Sequence, residues 1–207
     1  MIARLFSAFV LVLVITNGAS LAQADGHIEK STTLVRDLAN EAVENITDTS
    51  ITPEQRTENF RALFRKGFAV SSIARFVTGR YWRTASKEER EEYLVLFEDV
   101  IVNEWADRLF SQYNGQRLEV LGANDETDPD SPESVAIVKT DLVTSPTNSI
   151  TIEWRVASLG DVIKITDIKV NGLSLATTQR DDFVSHASNN GRRLSAIIDK
   201  LRNKRDL

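Results

Sequence analysis

At Gly115 the spacing of apolar residues changes, and the change divides the chain into two kinds of structure. Before it, apolar side chains recur every three or four residues, the period of an amphipathic helix. After it they alternate, the period of a strand with one buried face. A helical half, a strand half and two closing helical stretches predict an α+β fold. The expected form is a strongly bent antiparallel sheet of about four strands, with N-terminal and C-terminal helices packed over one face.

The helical half is punctuated by clear signals. Leu34, Val35, Leu38, Ala42 and Ile46 share one face of a helix expected from Glu29 to about Thr47. Thr52-Pro53-Glu54-Gln55 starts the next: Thr52 can cap, Pro53 takes the first helical position and Gln55 closes a capping box. Phe60, Phe64 and Phe68 then fall four apart, with Leu63 beside them, and Gly67 is expected to end or bend that helix. A shorter helix covers about Val70 to Val77. Gly79 and the adjacent aromatics Tyr81 and Trp82 form a joint before Ser86-Lys87-Glu88-Glu89, a second capping box. On residues alone, Tyr81 and Trp82 read as core anchors.

The helix opened by Ser86 is the longest. Tyr93, Phe97, Ile101, Trp105, Leu109 and Tyr113 are all spaced by four. At 3.6 residues per turn such a row drifts about 40° per step, so five steps swing it by about 200°. Either the helix bends, or its two ends touch different parts of the protein. Asn114-Gly115 ends it in a left-handed cap.

In the strand half, Arg117 to Gly122 is a short strand, followed by an acidic loop, Asn124 to Ser134. Val135 to Val143, Ile150 to Ala157 and Val162 to Val170 are longer strands joined by short turns, hence antiparallel neighbours. Ile150, Ile152, Trp154 and Val156 point to one face; Thr151, Glu153 and Arg155 point to the other. In the last of these strands the apolar parity slips between Ile163/Ile165 and Ile168/Val170, which predicts a bulge near Asp167 or coverage of both faces. After Asn171-Gly172 come two helices, about Thr178 to Asn190 and Arg192 to Asn203. The six Lys/Arg between Arg192 and Arg205 read as a solvated face.

The first 24 residues have a different character. Arg4 precedes an apolar run, Leu5 to Ile15, and Ala22-Gln23-Ala24 is an A-x-A cleavage site, so residues 1–24 are expected to be a secretory signal peptide. The apolar run is about 11 residues, short of the roughly 20 that a spanning helix needs. Residues 25–207 are then one domain. Loss of Arg4 with the leader takes the formal net charge from −5 to −6, which argues against nucleic acid as the partner.

Catalytic signals are sparse. The chain has no cysteine, hence no thiol nucleophile and no Cys-ligated metal. Of its two histidines, His27 lies near the expected mature N-terminus, and His186 follows Asp182 by four residues, a pairing more often structural than catalytic. No phosphate loop, dinucleotide fingerprint, H-E-x-x-H or nucleophile elbow is present. The acidic segment 124–130 lacks the glycine and spacing of a calcium loop. No catalytic residue and no metal ligand is therefore assigned. Composition and spacing leave three functions open: a carrier, a small pocket enzyme of isomerase or hydratase type, and an adaptor with a closed core.

One set of landmarks discriminates among these. Phe60 and Phe64, then Gly79-Arg80-Tyr81-Trp82, Glu89-Arg90, Phe97 and Tyr113-Asn114-Gly115 follow in order. Trp154-Arg155, Asp167, Asn171-Gly172-Leu173-Ser174-Leu175, Gln179-Arg180 and Phe183 continue the series. In order and spacing this resembles the toluene-tolerance (MlaC) family of periplasmic phospholipid carriers. The resemblance implies a monomeric periplasmic protein, not an enzyme, with a bound phospholipid as cargo and no cofactor. It also implies partners: an inner-membrane ABC-type lipid transport complex and an outer-membrane lipoprotein/porin complex. The acyl chains would be buried between sheet and helices. The candidate lining is Phe76, Tyr81, Trp82, Phe97, Ile101 and Trp105 from the helices and Ile150, Ile152 and Trp154 from a strand. Leu173 joins them because it matches a family position near the cavity.

Overall fold

The structure, a computed structural model, describes residues 19–206, with side chains from residue 26 onward. Residues 1–18 of the expected leader lie outside the described residues. The elements run α1 (Ala19–Thr47), α2 (Pro53–Gly67), α3 (Val70–Val77), α4 (Tyr81–Thr84) and α5 (Lys87–Gln112). Then come β1 (Arg117–Asp125), β2 (Ser134–Ser145), β3 (Asn148–Leu159), β4 (Val162–Val170), β5 (Leu173–Ser174), α6 (Leu175–Asn189) and α7 (Leu194–Arg205).

Local chemistry sets several of these boundaries. Both expected capping boxes form, Thr52 with Gln55 and Ser86 with Glu89. Gly67, the last residue of α2, is where α1 comes closest: a Cβ there would run into the Leu38 side chain. Gly115 has φ 80°, the left-handed conformation that lets the chain leave α5 for the sheet. α1 begins ten residues before the apolar periodicity suggested, at Ala19 rather than Glu29.

The sheet has five strands in the order β1-β2-β3-β4-β5, every pair antiparallel. The fifth, missed in the sequence, is only two residues long, too short to show a period. β1 also runs further than expected, to Asp125, because Leu121 bulges out and resets the register between Val120 and Gly122. The parity slip in β4 is a bulge at Thr166: Arg155 pairs with Asp167, whereas Val156 pairs with Ile165. On the inner face Val138, Val156, Ile165 and Ile168 are buried. On the outer face Lys139 and Lys169 flank Glu153 in ion pairs.

Two hydrophobic cores result. One is made by helices alone and centres on Tyr93, Leu194, Ile197 and Leu201, from α5 and α7, with α3 and α6 alongside. The other lies between the inner sheet face and α1, α2 and the C-terminal part of α5, around Val35, Phe64, Val102, Val138 and Ile165. The four-spaced row on α5 spans both. Tyr93 and Phe97 belong to the helical core, Trp105 and Leu109 pack on the sheet-facing core, and Ile101 touches both.

Candidate functional site: an apolar cavity between the two cores

Where the two cores fail to meet, a cavity of about 400 Å³ remains. Its size falls within the range of about 300–1,000 Å³ common to small-molecule sites. The walls are apolar. Phe64 and Phe68 come from α2 and its end, Val70, Ile73 and Val77 from α3, and Phe97, Ile101 and Trp105 from α5. Ile168 of β4 with Leu175 and Ala176 of α6 closes the far side. Stacking of Phe64 on Phe68, with ring centroids 4.5 Å apart, fixes one wall. The α2–α3 link is held against β4 by the Ala69 N–H, which donates to the Ile165 carbonyl at 2.9 Å.

The polar lining residues are Glu104, Arg108, Thr166, Asp167, Thr178, Gln179 and Asp182. Two of the carboxylates are ion-paired. Glu104 takes Lys204 at 2.6 Å and Arg108 at 2.8 Å, and Asp182 takes Lys200 at 2.6 Å. The basic C-terminal helix thus neutralises two carboxylates of the cavity, Glu104 and Asp182; the third, Asp167, accepts backbone N–H groups instead. Asp182 is committed to Lys200, and His186, four residues on, is not its partner. Among the described residues no three His, Cys, Asp or Glu side chains cluster as metal ligands do.

The candidate residues divide by position. Phe97, Ile101 and Trp105 line the cavity. Phe76, 44% exposed, lines a smaller adjoining cavity and carries the Arg180 guanidinium over its ring at 4.8 Å. Tyr81 and Trp82 sit in the helical core instead. Tyr81 is buried and hydrogen-bonded to the Ser188 hydroxyl at 2.9 Å. Trp82 meets Tyr93 edge-on and lies under Arg90. Ile152 and Trp154 belong to the sheet-facing core without lining the cavity, and the Trp154 indole donates to buried Thr140 at 2.9 Å. Ile150 is half-buried opposite Leu142, near the β2–β3 turn and outside both cavities. Leu173 is 71% exposed and touches neither cavity. The turn at Asn171 and Gly172, with φ of 49° and 81°, carries it outward.

The wall residues that sequence reasoning missed include Phe64, Phe68, Ile73, Val77, Ile168 and Leu175. The Phe row of α2 and the parity slip that puts Ile168 on the inner face were both visible signals. What neither gave was which part of each surface stays uncovered.

The sequence matches the family described as MlaC protein over residues 34–203, well over half of the chain. A comparison with curated protein sequences finds no match. Among solved structures, seven chains match. One is described as the phospholipid-binding protein from Ralstonia solanacearum in complex with a phospholipid. It is 16% identical with a TM-score of 0.68, and the alignment covers 85% of this chain and 97% of that one. At that identity the likeness is one of fold. No described helix is long and apolar enough to cross a membrane.

Proposed function

This chain belongs to the MlaC family, and from that premise we propose that it is a periplasmic phospholipid carrier. Residues 25–207 act as one lipid-binding domain that holds acyl chains in the cavity between α2, α3, α5, α6 and β4. The observation that carries this reading is the cavity itself, with largely apolar walls and with Glu104 and Asp182 already paired to lysines. A pocket enzyme would need an acid and a base free to act on a substrate. Here Glu104 and Asp182 are held by Lys204 and Lys200, and the third cavity carboxylate, Asp167, is engaged by the N–H groups of Ile168 and Ala176.

The energetics favour a carrier that releases only on contact. Two acyl chains hold on the order of 30 methylenes, each costing about 0.8 kcal/mol in water. Spontaneous loss to water would cost on the order of 20 kcal/mol, so cargo must leave by opening of the cavity at a membrane complex. The carrier then moves as a monomer between an outer-membrane lipoprotein/porin complex and an inner-membrane ABC-type complex.

Mass spectrometry tests the reading. Protein secreted and purified without detergent should have an intact mass starting at Asp25, and its organic extract should contain a diacyl phospholipid. A lipid-free protein that accepts nothing from phospholipid donor vesicles would overturn the carrier assignment.

A further inference from the structure

A second, smaller cavity of about 280 Å³ adjoins the first, and Ile73, Thr166, Asp167 and Ala176 belong to the walls of both. Its character is different. Ser72, Arg155, Thr166, Ser174 and Thr177 bring hydroxyls and one guanidinium to it.

Arg155 is the unusual member. In the β3–β4 register it stands directly opposite Asp167. Opposite charges so placed on one face of a sheet ordinarily pair. These do not, because Asp167 is drawn away. Its Oδ1 accepts the N–H of Ile168 at 2.8 Å and the N–H of Ala176, at the start of α6, at 3.0 Å. The nearest acid on the same strand, Glu153, is shared by Lys139 and Lys169. Arg155 is left half-buried, with no carboxylate at ion-pair distance among the described residues. Its one side-chain hydrogen bond runs from Nη1 to the Thr166 hydroxyl, 3.1 Å. A guanidinium has five N–H donors, so most of this one is unused.

We propose that this second cavity holds the phosphate group of the bound phospholipid, with Arg155 as its ligand. A planar fork of donors matches phosphate oxygens in pairs and is stronger than a neutral donor set. A half-buried cation without a counter-ion is best met by an anion brought with the cargo. A glycerol backbone at the shared edge, beside Ile73 and Ala176, leaves the acyl chains on the apolar side and sets the phosphate within reach of Arg155. The N-terminus of α6 adds only its dipole, since Ser174 and Asp167 already take its first free N–H groups. The assignment rests on the carrier reading above and adds a source of selectivity: lipids with a phosphodiester over those without.

The test offers the full mature chain donor vesicles of phosphatidylcholine carrying equal traces of phosphatidylglycerol and diacylglycerol. Mass spectrometry then reads which of the two lipids is taken. The native chain should favour phosphatidylglycerol. Arg155→Gln should cut that preference at least tenfold while diacylglycerol uptake persists. Equal preference in both proteins overturns the phosphate assignment and leaves the carrier reading standing. Uptake of neither lipid by the native chain overturns both. Phenylglyoxal labelling gives a second measurement on the unaltered protein. Loading with phosphatidylglycerol, but not with diacylglycerol, should protect the Arg155 peptide, and no protection overturns the proposal. If inorganic phosphate protects the peptide but phosphatidylglycerol does not, the cavity is a free-anion site and the headgroup assignment fails.

Discussion

Leu194, Ile197, Leu201 and Tyr93 are enclosed by helices and are at most 2% exposed. Ile168, Trp105 and Phe68 have protein on one side and a cavity on the other. The two regions share α5 and differ in how they are finished. In the helical core, α7 lies along α5 and fills its surface with Leu194, Ile197, Ile198 and Leu201. In the sheet-facing core, α3 and α6 meet the sheet at β4 and the short edge strand β5, and a cavity stays open beside them. The difference teaches a division of labour. On the carrier reading proposed above, a protein that empties and refills needs one part that does not change when cargo leaves, and the closed helical core fits that part.

The sharpest way to break this contrast is to cut one aliphatic side chain from each region. Leu194→Ala, in the closed core, should cost about 2–5 kcal/mol, because packed neighbours relax only partly into the hole. Ile168→Ala, at the cavity wall, should cost about 2 kcal/mol or less, because it already lacks partners on one side. Denaturant unfolding of the lipid-free proteins measures both. Equal losses would mean that the cavity is packed like the core in solution. The variants should also differ in cargo: Ile168→Ala should lose co-purifying lipid, and Leu194→Ala should keep it while it remains folded.

Tyr93 gives a smaller, pH-dependent handle on the closed region alone. Its ring is fully buried, and its hydroxyl donates to the Ala74 carbonyl at 2.9 Å, tying α5 to α3. Burial pushes its pKa well above the ordinary tyrosine value, since the phenolate would be desolvated. The folded pKa is raised, so the contribution is complete below the unfolded value of about 10 and is lost as pH rises from there toward the folded value. Tyr93→Phe should cost about 1 kcal/mol at neutral pH for the lost hydrogen bond. It should also flatten the fall in stability above about pH 10. Thermal melts from pH 8 to 11 compare the two. An unchanged alkaline slope in Tyr93→Phe would show that another group sets it.

How far the sequence disclosed this arrangement follows from which signals are local. Caps are local, so the capping boxes at Thr52 and Ser86 were legible. Parity is local, so the break in β4 was legible before its bulge at Thr166 was seen. The rotation of the α5 row follows from helix geometry, which left a bend or two separate partners; the structure has two partners, with Tyr93 in one core and Leu109 on the other. What is not local is which apolar surface goes uncovered. Tyr81 and Trp105 look alike in sequence, yet α6 supplies Ser188 to close over one, and the other faces the cavity. Ile152 and Trp154 share the inward face of β3, but Thr140 of β2 takes the indole N–H and they pack in the core away from the cavity.

Leu173 is the place where sequence position and geometry diverge most, and it carries the smallest expected effect. It precedes α6 by two residues, and Leu175, just beyond it, does line the cavity. Side chains alternate along the short β5, so two residues apart would share a face in a longer strand. The strand ends at Ser174, whose hydroxyl instead caps α6 by accepting the Thr177 N–H at 3.0 Å. The chain therefore turns into a helix between the two leucines, Leu175 swings inward, and Leu173 stays 71% exposed. A charge at an exposed site keeps its water, so Leu173→Asp should change stability by no more than about 0.5 kcal/mol. Co-purifying phospholipid should be at the native level, whereas Leu175→Asp should abolish it. Loss of lipid from a folded Leu173→Asp protein would show that the β5 turn closes over the cargo. The boundary between the filled and the open region would then lie beyond Ser174.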